Sequence, residues 1–397
     1  MSFTTSVIEW YRENGRSLPW RETNDPYAIW LSEVILQQTR VEQGRPYWER
    51  FMQRWPTVES LAAATEDEVL REWQGLGYYS RARNLHTAAK QIAAIGHFPN
   101  TMEELRRLKG IGDYTAAAIG SIAFGLPVAV VDGNVYRVLS RCFGISTPIN
   151  TTEGKKEFAA LAQSLLESLE FFAERSGRAE RRVESLEFAT AHEQGQIGAA
   201  ATAAANSTLY TLNSTLYNQA LMDFGALQCT PASPKCGTCP LVDSCCAFRE
   251  GRVGELPVKL KKQKVKEIKM TYIYIRYKGE TALRRRPAGD IWQGLYEPLS
   301  VECRTESVEF ATAHEQGQTS AATTAAANSK LYTLHSQLIE RSVRHVLTHR
   351  IIYADFYQWE PDERPALPEG YFWIPESDID QYAVPRLVEK LLQKVKR

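Results

Sequence analysis

The stretch from Glu104 to Phe143, ELRRLKGIGDYTAAAIGSIAFGLPVAVVDGNVYRVLSRCF, decides the fold of the helical part of this chain. It begins with a glycine hairpin, LKGIG, and continues into a helix of small residues. Glycines let backbone N–H groups approach an anion closely, and the dipole of the following helix favours negative charge. The hairpin therefore predicts a phosphate contact at Gly110 and Gly112, with Lys109 as a further phosphate contact beside them.

The composition limits the class of protein. The chain has 397 residues, which favours two or three domains over a single core. Its 47 basic and 47 acidic residues balance, so the whole-chain charge does not favour nucleic-acid binding, and any basic surface must be local. No apolar run approaches the length of a membrane span, and the first residues lack the apolar core of a signal peptide. We expect a monomeric cytoplasmic protein with no membrane partner.

Hydrophobic periodicity divides the chain into an all-α part and an α+β part. From Asp25 to about Leu165 the apolar residues recur at helical spacing, with short breaks at proline and glycine. Beyond Met270 the period changes to two, which is typical of strands. The predicted elements there are strands over 271–277, 351–357 and 371–374 and a closing helix over 384–395.

Three segments follow from this division. We predict a helical domain over 1–249, a basic linker over 250–268 and an α+β domain over 269–397. The linker, which contains KLKKQKVK, is either solvated or lies along a phosphate backbone.

A long segment occurs twice in the chain. Residues 184–216 recur at 306–338 with few changes, and both copies are poor in large apolar residues. Burial would therefore offset little of the entropy lost on ordering them. We interpret the copies as insertions, over about 168–215 and 305–338, because a stacked repeat array needs about three neighbouring copies. Each is expected to form an exposed loop or a loose helix.

A short loop carries four cysteines with the spacing C-x6-C-x2-C-x5-C. The four are Cys229, Cys236, Cys239 and Cys245. Disulfides are rare in a reducing cytosol, so this pattern favours a metal centre. Four thiolates so close together predict a [4Fe–4S] cluster. Zinc is the alternative, although structural zinc loops more often use two separated C-x2-C pairs. Cys142 and Cys303 are expected to be isolated thiols.

Two carboxylates are candidates for acid–base chemistry. Glu33 lies in an apolar helical stretch, SEVILQQT, where burial raises the pKa of a carboxyl and equips it to donate a proton. A buried ion pair is the alternative. Asp132 precedes a helix, so it is either a helix cap or a carboxylate that stabilises a cationic sugar. Gln37 and Gln38, predicted on the same helix as Glu33, offer amides for base edges or phosphates, or are ordinary exposed residues.

An aromatic stretch, GLGYYSR over 75–81, places two rings beside flexible glycines. Tyr78 and Tyr79, with Arg81 nearby, suit insertion into a stack of bases. Ordinary packing of aromatic residues between helices is the alternative.

Several of these motifs together resemble the adenine DNA glycosylase family. They are SEVILQQTRVEQGRPYWERF from Ser32, GLGYYSRARNLH from Gly75, LKGIGDYTAAAI from Leu108, VDGNVYRVLSR from Val131, ALMDFGALQCTP from Ala220 and the four-cysteine loop. The match covers most of residues 3–167 and 216–249. It implies a helix-hairpin-helix fold with a [4Fe–4S] cluster. The implied subdomains are a six-helix barrel over about 23–132 and a cluster subdomain of 1–22 and 133–249.

The resemblance also implies roles for three residues. Glu33 matches the general acid that protonates adenine at N7, and Asp132 matches the carboxylate that stabilises the oxocarbenium ion. Tyr114 matches an active-site tyrosine. Endonuclease III-like enzymes share the hairpin and the cysteine loop but carry a Schiff-base lysine where this chain has Tyr114. Because a phenol cannot form that imine, a monofunctional glycosylase is expected.

The C-terminal domain resembles the Nudix-like 8-oxoguanine reader of the same family, matching it at RPAGDIWQGLYE over 286–297. No G-x5-E-x7-RE-x2-EE-x-G pattern follows, so pyrophosphate hydrolysis is not expected. Residues 345–349, HVLTH, match the place where many members carry Phe-Ser-His. Leu347 replaces the aromatic residue, Thr348 keeps a hydroxyl, and His349 can contact the lesion or a phosphate.

The sequence thus predicts an enzyme that excises adenine mispaired with 8-oxoguanine or guanine in double-stranded DNA. Two alternatives remain at this stage. One is a glycosylase for another mispaired base, such as thymine opposite guanine. The other is a non-catalytic lesion binder or redox sensor, against which the pair of Glu33 and Asp132 argues.

Overall fold

The computed structural model describes residues 2–187, 214–260, 265–303, 336–347 and 349–396. The chain divides into two compact units. The helical unit comprises Met1–Glu59 and Thr87–Lys261, and the sheet unit comprises Ser60–His86 and Lys262–Arg397.

Helices build the first unit, as the periodicity predicts. Its helices are α1 Phe3–Asn14, α2 Pro26–Leu36, α3 Val41–Arg54, α7 Met102–Arg107, α8 Asp113–Phe124, α9 Gly133–Phe143, α10 Thr152–Glu187, α11 214–223 and α12 Cys246–Arg249. Helices α4 Val58–Ala63 and α6 Ser80–Ile95 cross the division between the units, and α5 Glu66–Glu72 lies in the sheet unit.

The glycine loop joins α7 to α8 in the predicted hairpin. Gly110 has a φ of 79°, in the left-handed region that favours glycine. Helix α8 then buries the small residues Ala116 and Ala118 completely. Helix α2 packs against α8. This contact brings two candidate catalytic side chains together.

A buried ion pair fastens the loop before α2 to α11. The fully buried carboxylate of Asp223 lies 2.5 Å from a guanidinium nitrogen of Arg16 and 2.8 Å from one of Arg21. Burial alone would raise the pKa of Asp223, but hydrogen bonds from Arg21 and Arg16 outweigh it and lower that pKa to about 2. The resulting stabilisation is present above the unfolded pKa of about 4 and is lost as the pH falls through about 2.

The described residues of the sheet unit form two sheets. Its strands are β1 Lys266–Ile275, β2 Glu280–Arg285, β3 Tyr296–Glu297, β4 Leu299–Cys303, β5 Gln337–Val346, β6 Arg350–Trp359 and β7 Tyr371–Pro375. One sheet has the order β4-β1-β6-β5 and the other β3-β2-β7, and only the β1–β6 pair is parallel. The last helix, α13 Arg386–Val395, buries Leu387, Leu391 and Val395. The strands and the closing helix predicted from the sequence are confirmed.

Residues 60–86 cluster with the sheet unit, whereas the sequence analysis assigned them to the helical domain. Polar contacts at α5 account for this difference. Arg285 of β2 lies 3.0 Å from Glu66 and 2.9 Å from Asp67, and the hydroxyl of Tyr296 donates to Asp67 over 3.0 Å. Further along, Arg83 donates to the carbonyl of Gln293 over 2.7 Å. These partners are far apart in the sequence, so its local pattern gave no sign of the association.

Residues 250–268, predicted as a linker, belong in part to the two units. The first of them pack on the helical unit, where the Ile149 N–H donates to the carbonyl of Val258 over 3.0 Å. Asn150 forms a pair of hydrogen bonds with the backbone of Leu260. The last of them belong to β1, and residues 261–264 lie outside the described part of the chain.

The two repeat copies lie mostly outside the described residues as well. The first predicted insertion, from about 168, begins as a continuation of α10 up to Glu187. Residues 188–213 and 304–335 are not described. Among the helices that are described, none combines the length and apolar character needed to cross a bilayer.

Candidate active site

The packing of α2 against α8 brings Glu33 and Tyr114 into direct contact. The phenol of Tyr114 donates a hydrogen bond of 2.6 Å to a carboxylate oxygen of Glu33. Both side chains are half-buried and line one cavity of about 510 Å³ in the helical unit. Glu33 is therefore held by a neutral donor at the edge of a space large enough for a base.

Asp132 lies on the same cavity and also caps α9. One of its carboxylate oxygens accepts from the N–H groups of Asn134 and Val135, at 2.8 Å and 2.7 Å. The other accepts from the side-chain amide of Asn134 at 2.7 Å. The two interpretations left open by the sequence are compatible, because the capping carboxylate still borders the cavity.

Burial raises the pKa of both carboxyls. For Glu33 the charge of Asp132 raises it further, whereas the hydrogen bond from Tyr114 and the charge of Arg21 lower it. For Asp132 the main opposing effects are the hydrogen bonds from Val135 and Asn134. Burial thus raises both pKa values, and the hydrogen-bond donors that oppose it differ: one phenol at Glu33, and backbone and amide donors at Asp132.

Other polar residues on the cavity were missed by the sequence analysis. Arg21, held by Asp223, lowers the pKa of Glu33, and Arg137 does the same for Asp132. Gln219 of α11 lines the cavity and accepts a hydrogen bond of 2.9 Å from Tyr11. The sequence does show polar residues on both sides of Trp20 and along α11. No local pattern, however, indicated that they lie near Glu33.

The predicted glutamines do not continue the helix. Helix α2 ends at Leu36, and Gln38 has a φ of 56°. Gln37 donates to the hydroxyl of Thr115 over 3.3 Å. Both glutamines line a second cavity of about 320 Å³, which also borders Glu33, Tyr114 and Asp132. The prediction that they lie on the helix of Glu33 is therefore wrong: they belong to the turn that follows it.

The glycine hairpin leaves its backbone accessible. Gly110 and Gly112 are exposed, and a Cβ added at Gly112 would meet nothing within 4 Å. The N–H of Lys109 is already used, since it donates to Gln91 over 2.8 Å. The backbone donors for an anion are therefore those of the glycines, while the exposed Lys109 contributes its side chain.

The predicted stacking residues differ in exposure. Tyr78 is 48 % exposed with a φ of 48°, whereas Tyr79 is 5 % exposed and belongs to the core of the sheet unit. Arg81 folds back to donate to the carbonyl of Gly77 over 3.3 Å, and burial lowers its pKa to about 10. Only Tyr78 presents its ring to solvent. His349 is exposed, and Thr348 lies outside the described residues.

The four cysteines of the loop line one cavity of about 20 Å³. Cys142 lines it too, which corrects the expectation of an isolated thiol. Arg141 braces the loop by donating to the carbonyls of Thr230 and Pro231, at 2.8 Å and 3.1 Å. Four thiols around one space fit an iron–sulfur cluster.

Comparison with known proteins gives the family of the chain. Residues 31–167 match the model of HhH-GPD superfamily base excision DNA repair proteins, and residues 271–394 match the model of the NUDIX domain. The adenine DNA glycosylase of Buchnera aphidicola subsp. Schizaphis graminum is 32% identical over 311 residues, which are 78% of this chain and 77% of that protein. The human adenine DNA glycosylase is 37% identical over 260 residues, 63% of this chain and 40% of that protein.

Among solved structures, a thermostable thymine-DNA glycosylase is 25% identical, with a TM-score of 0.47 over 62% of this chain and 95% of that one. The fold and the family models define a helix-hairpin-helix DNA repair protein with a Nudix domain. The chain belongs to the adenine DNA glycosylase family. It is accordingly a monofunctional DNA glycosylase, a hydrolase of N-glycosyl bonds.

The cap at α9 predicts how two substitutions of Asp132 differ. Asn keeps a side-chain oxygen for the Asn134 and Val135 N–H groups, whereas Ala leaves them without an acceptor. We expect the free energy of unfolding of Asp132→Ala to be lower than that of Asp132→Asn by about 1 kcal/mol, the usual contribution of an N-cap. Denaturant unfolding of the two variants measures the difference. Equal stabilities would mean that the side chain does not act as a cap.

Proposed function

We propose that the enzyme excises adenine mispaired with 8-oxoguanine or guanine from double-stranded DNA. The observation that carries the proposal is the 2.6 Å hydrogen bond between Tyr114 and Glu33, with Asp132 on the same cavity. An acid with a raised pKa beside a carboxylate is the arrangement that glycosidic bond cleavage requires.

In this proposal the target adenine leaves the base stack, because its glycosidic bond is inaccessible within the duplex. Glu33 gives its proton to the departing base and becomes a carboxylate. The sugar, now an oxocarbenium ion, is stabilised by the negative charge of Asp132 and by the oxygen of Tyr114. Water then adds to the sugar carbon and returns a proton to Glu33. The products are free adenine and an abasic site, and the acid is restored.

In this proposal the glycine hairpin binds the DNA backbone. Gly110 and Gly112 offer exposed N–H groups, the N-terminus of α8 adds its dipole, and Lys109 adds a charge. Because Tyr114 lies in the first turn of the same helix, a phosphate held at the hairpin fixes the sugar relative to the acid. Gln38 and Tyr78 are the candidates for filling the gap that the flipped adenine leaves.

The preference for 8-oxoguanine is assigned to the sheet unit. His349 is exposed at the end of the segment that matches the family's reader. Thr348 is the predicted second contact. The alternative, a glycosylase for another base, would keep the acid and the hairpin and differ only in the cavity that receives the base.

The cysteine loop supports a further proposal, that Cys229, Cys236, Cys239 and Cys245 hold a [4Fe–4S] cluster. The cluster would fix the shape of the loop, while base removal needs no electron. The residues fit it, because all four thiols line one cavity and Arg141 holds the surrounding backbone.

Single-turnover excision tests the proposed reaction. Duplexes with A opposite 8-oxoguanine, A opposite G and T opposite G should give adenine release from the first two and no thymine release from the third. Glu33→Gln should slow excision by about 100- to 10,000-fold while leaving DNA binding largely intact, since it removes the proton donor but keeps the shape.

The matched control is Glu9→Gln on the exposed face of α1, which should excise at the normal rate. No adenine release by the wild-type enzyme would refute the proposed function. Undiminished release by Glu33→Gln would instead assign the acid to another residue.

For the cluster, we expect iron and acid-labile sulfide in equal amounts in the purified protein, and loss of both on Cys236→Ser. Cys246→Ser is the matched control, because Cys246 neighbours the ligands but is not one of them. Zinc in place of iron in anaerobically prepared wild-type protein would contradict the proposal.

A further inference from the structure

The sheet unit contains a cavity of about 530 Å³ that the reaction at Glu33 does not use. Three segments and one residue of α13 surround it. They are 75–79, 291–292, the described residues of 345–350 (345–347 and 349–350) and Arg386. Its volume is sufficient for a single nucleotide.

The floor of this cavity is apolar and rigidly supported. Trp292, which is 5 % exposed, lies 5.9 Å from the ring of His345. The backbone N–H of Trp292 donates to Asp290 over 2.7 Å. Arg286 forms two hydrogen bonds of 2.7 Å and 2.6 Å to Asp290 and lies over the Trp292 ring at 5.3 Å. Together with Ile291 and Leu347, which also line the cavity, Trp292 gives it an apolar lining.

The rim carries an exposed aromatic ring. Tyr78, 48 % exposed, lies on the cavity next to Gly77. Aromatic side chains placed in this way stack on nucleic-acid bases without regard to sequence.

The charge at the cavity is positive. Arg350 and Arg386 line it, and no lining residue carries a carboxylate. Neither arginine forms an ion pair with another described residue. Other arginines of this unit do pair with carboxylates, among them Arg276, Arg284, Arg285, Arg286 and Arg364.

The positive potential extends to the inner wall of the cavity. Burial lowers the pKa of His345, and the charges of Lys390 and Arg386 lower it further. An anion at the mouth would therefore meet two uncompensated guanidinium groups over an apolar floor. That combination suits a phosphate attached to a planar base.

We propose that Arg350 and Arg386 form a phosphate clamp for one nucleotide whose base enters this cavity. The identity of this nucleotide rests on the proposed function: in DNA, it is the nucleotide opposite the target adenine. A free nucleotide has the same chemistry and is the other possible source. Neither arginine was among the candidate residues of the sequence analysis.

Salt dependence of DNA binding tests the clamp directly. The ligand is a duplex with 8-oxoguanine opposite an adenosine whose 2′-fluoro group prevents cleavage, and binding is measured over a range of KCl concentrations. We expect Arg386→Ala and Arg350→Ala each to weaken binding about tenfold, the loss of one charge-assisted hydrogen bond. Each should also reduce the slope of log K against log salt by about one, as for one lost phosphate contact.

The matched control is Arg341→Ala, an exposed arginine of β5 that is not on the cavity. It should leave the slope unchanged. Arg386→Lys should keep the slope and recover part of the affinity, which a loss of folding would not permit. An unchanged slope in the double variant Arg350→Ala/Arg386→Ala, or an equal change in Arg341→Ala, would overturn the clamp.

Two further measurements distinguish a nucleotide in DNA from a free nucleotide, and a failure of the clamp from a failure of the proposed function. Calorimetric titration with 8-oxo-dGMP should give no binding. Binding that the double variant abolishes, with an unchanged DNA slope, would assign the cavity to free nucleotides and overturn the DNA clamp. Adenine release by the same wild-type preparation is measured in parallel. Its absence would refute the proposed function, while the salt slopes would still decide whether the clamp holds DNA.

Discussion

The hydrogen bond from Tyr114 to Glu33 is the contact on which the arrangement of the active site depends. It requires α2 and α8 to pack against each other. Tyr114 lies in the first turn of the helix that the glycine hairpin begins. The acid, its donor and the exposed backbone of the hairpin are therefore fixed by one helix and its neighbour.

Electrostatics then distinguishes the two carboxyls. Burial raises the pKa of both, but their partners differ in kind. Glu33 receives one hydrogen bond from a neutral phenol, whereas Asp132 receives three from backbone and amide donors. Three donors favour the ionised form more than one does. The proposed roles, an acid at Glu33 and an anion at Asp132, rest on this difference in hydrogen-bond partners.

Much of this could be predicted from the sequence because its signals are local. The hairpin, the cap at Asp132, the cysteine spacing and the period-two strands each depend on neighbours within a few residues. What the sequence did not give depends on distant contacts. Arg21 is held at the cavity by Asp223 on α11, and Cys142 lines the cavity of the cysteine loop. Residues 60–86 join the sheet unit through contacts with Arg285 and Tyr296. The turn at Gln37 and Gln38 was missed because their helix propensity concealed the end of α2.

The pH dependence of single-turnover adenine excision by Tyr114→Phe tests the central claim most directly. The hydrogen bond from Tyr114 lowers the pKa of Glu33, so its removal should raise that pKa. In the proposed reaction excision needs protonated Glu33, so the rate should fall as the pH rises through that pKa. The account therefore predicts that the descending limb of the normalised rate profile moves to higher pH in Tyr114→Phe than in the wild type. A descending limb that stays in place or moves to lower pH would contradict it.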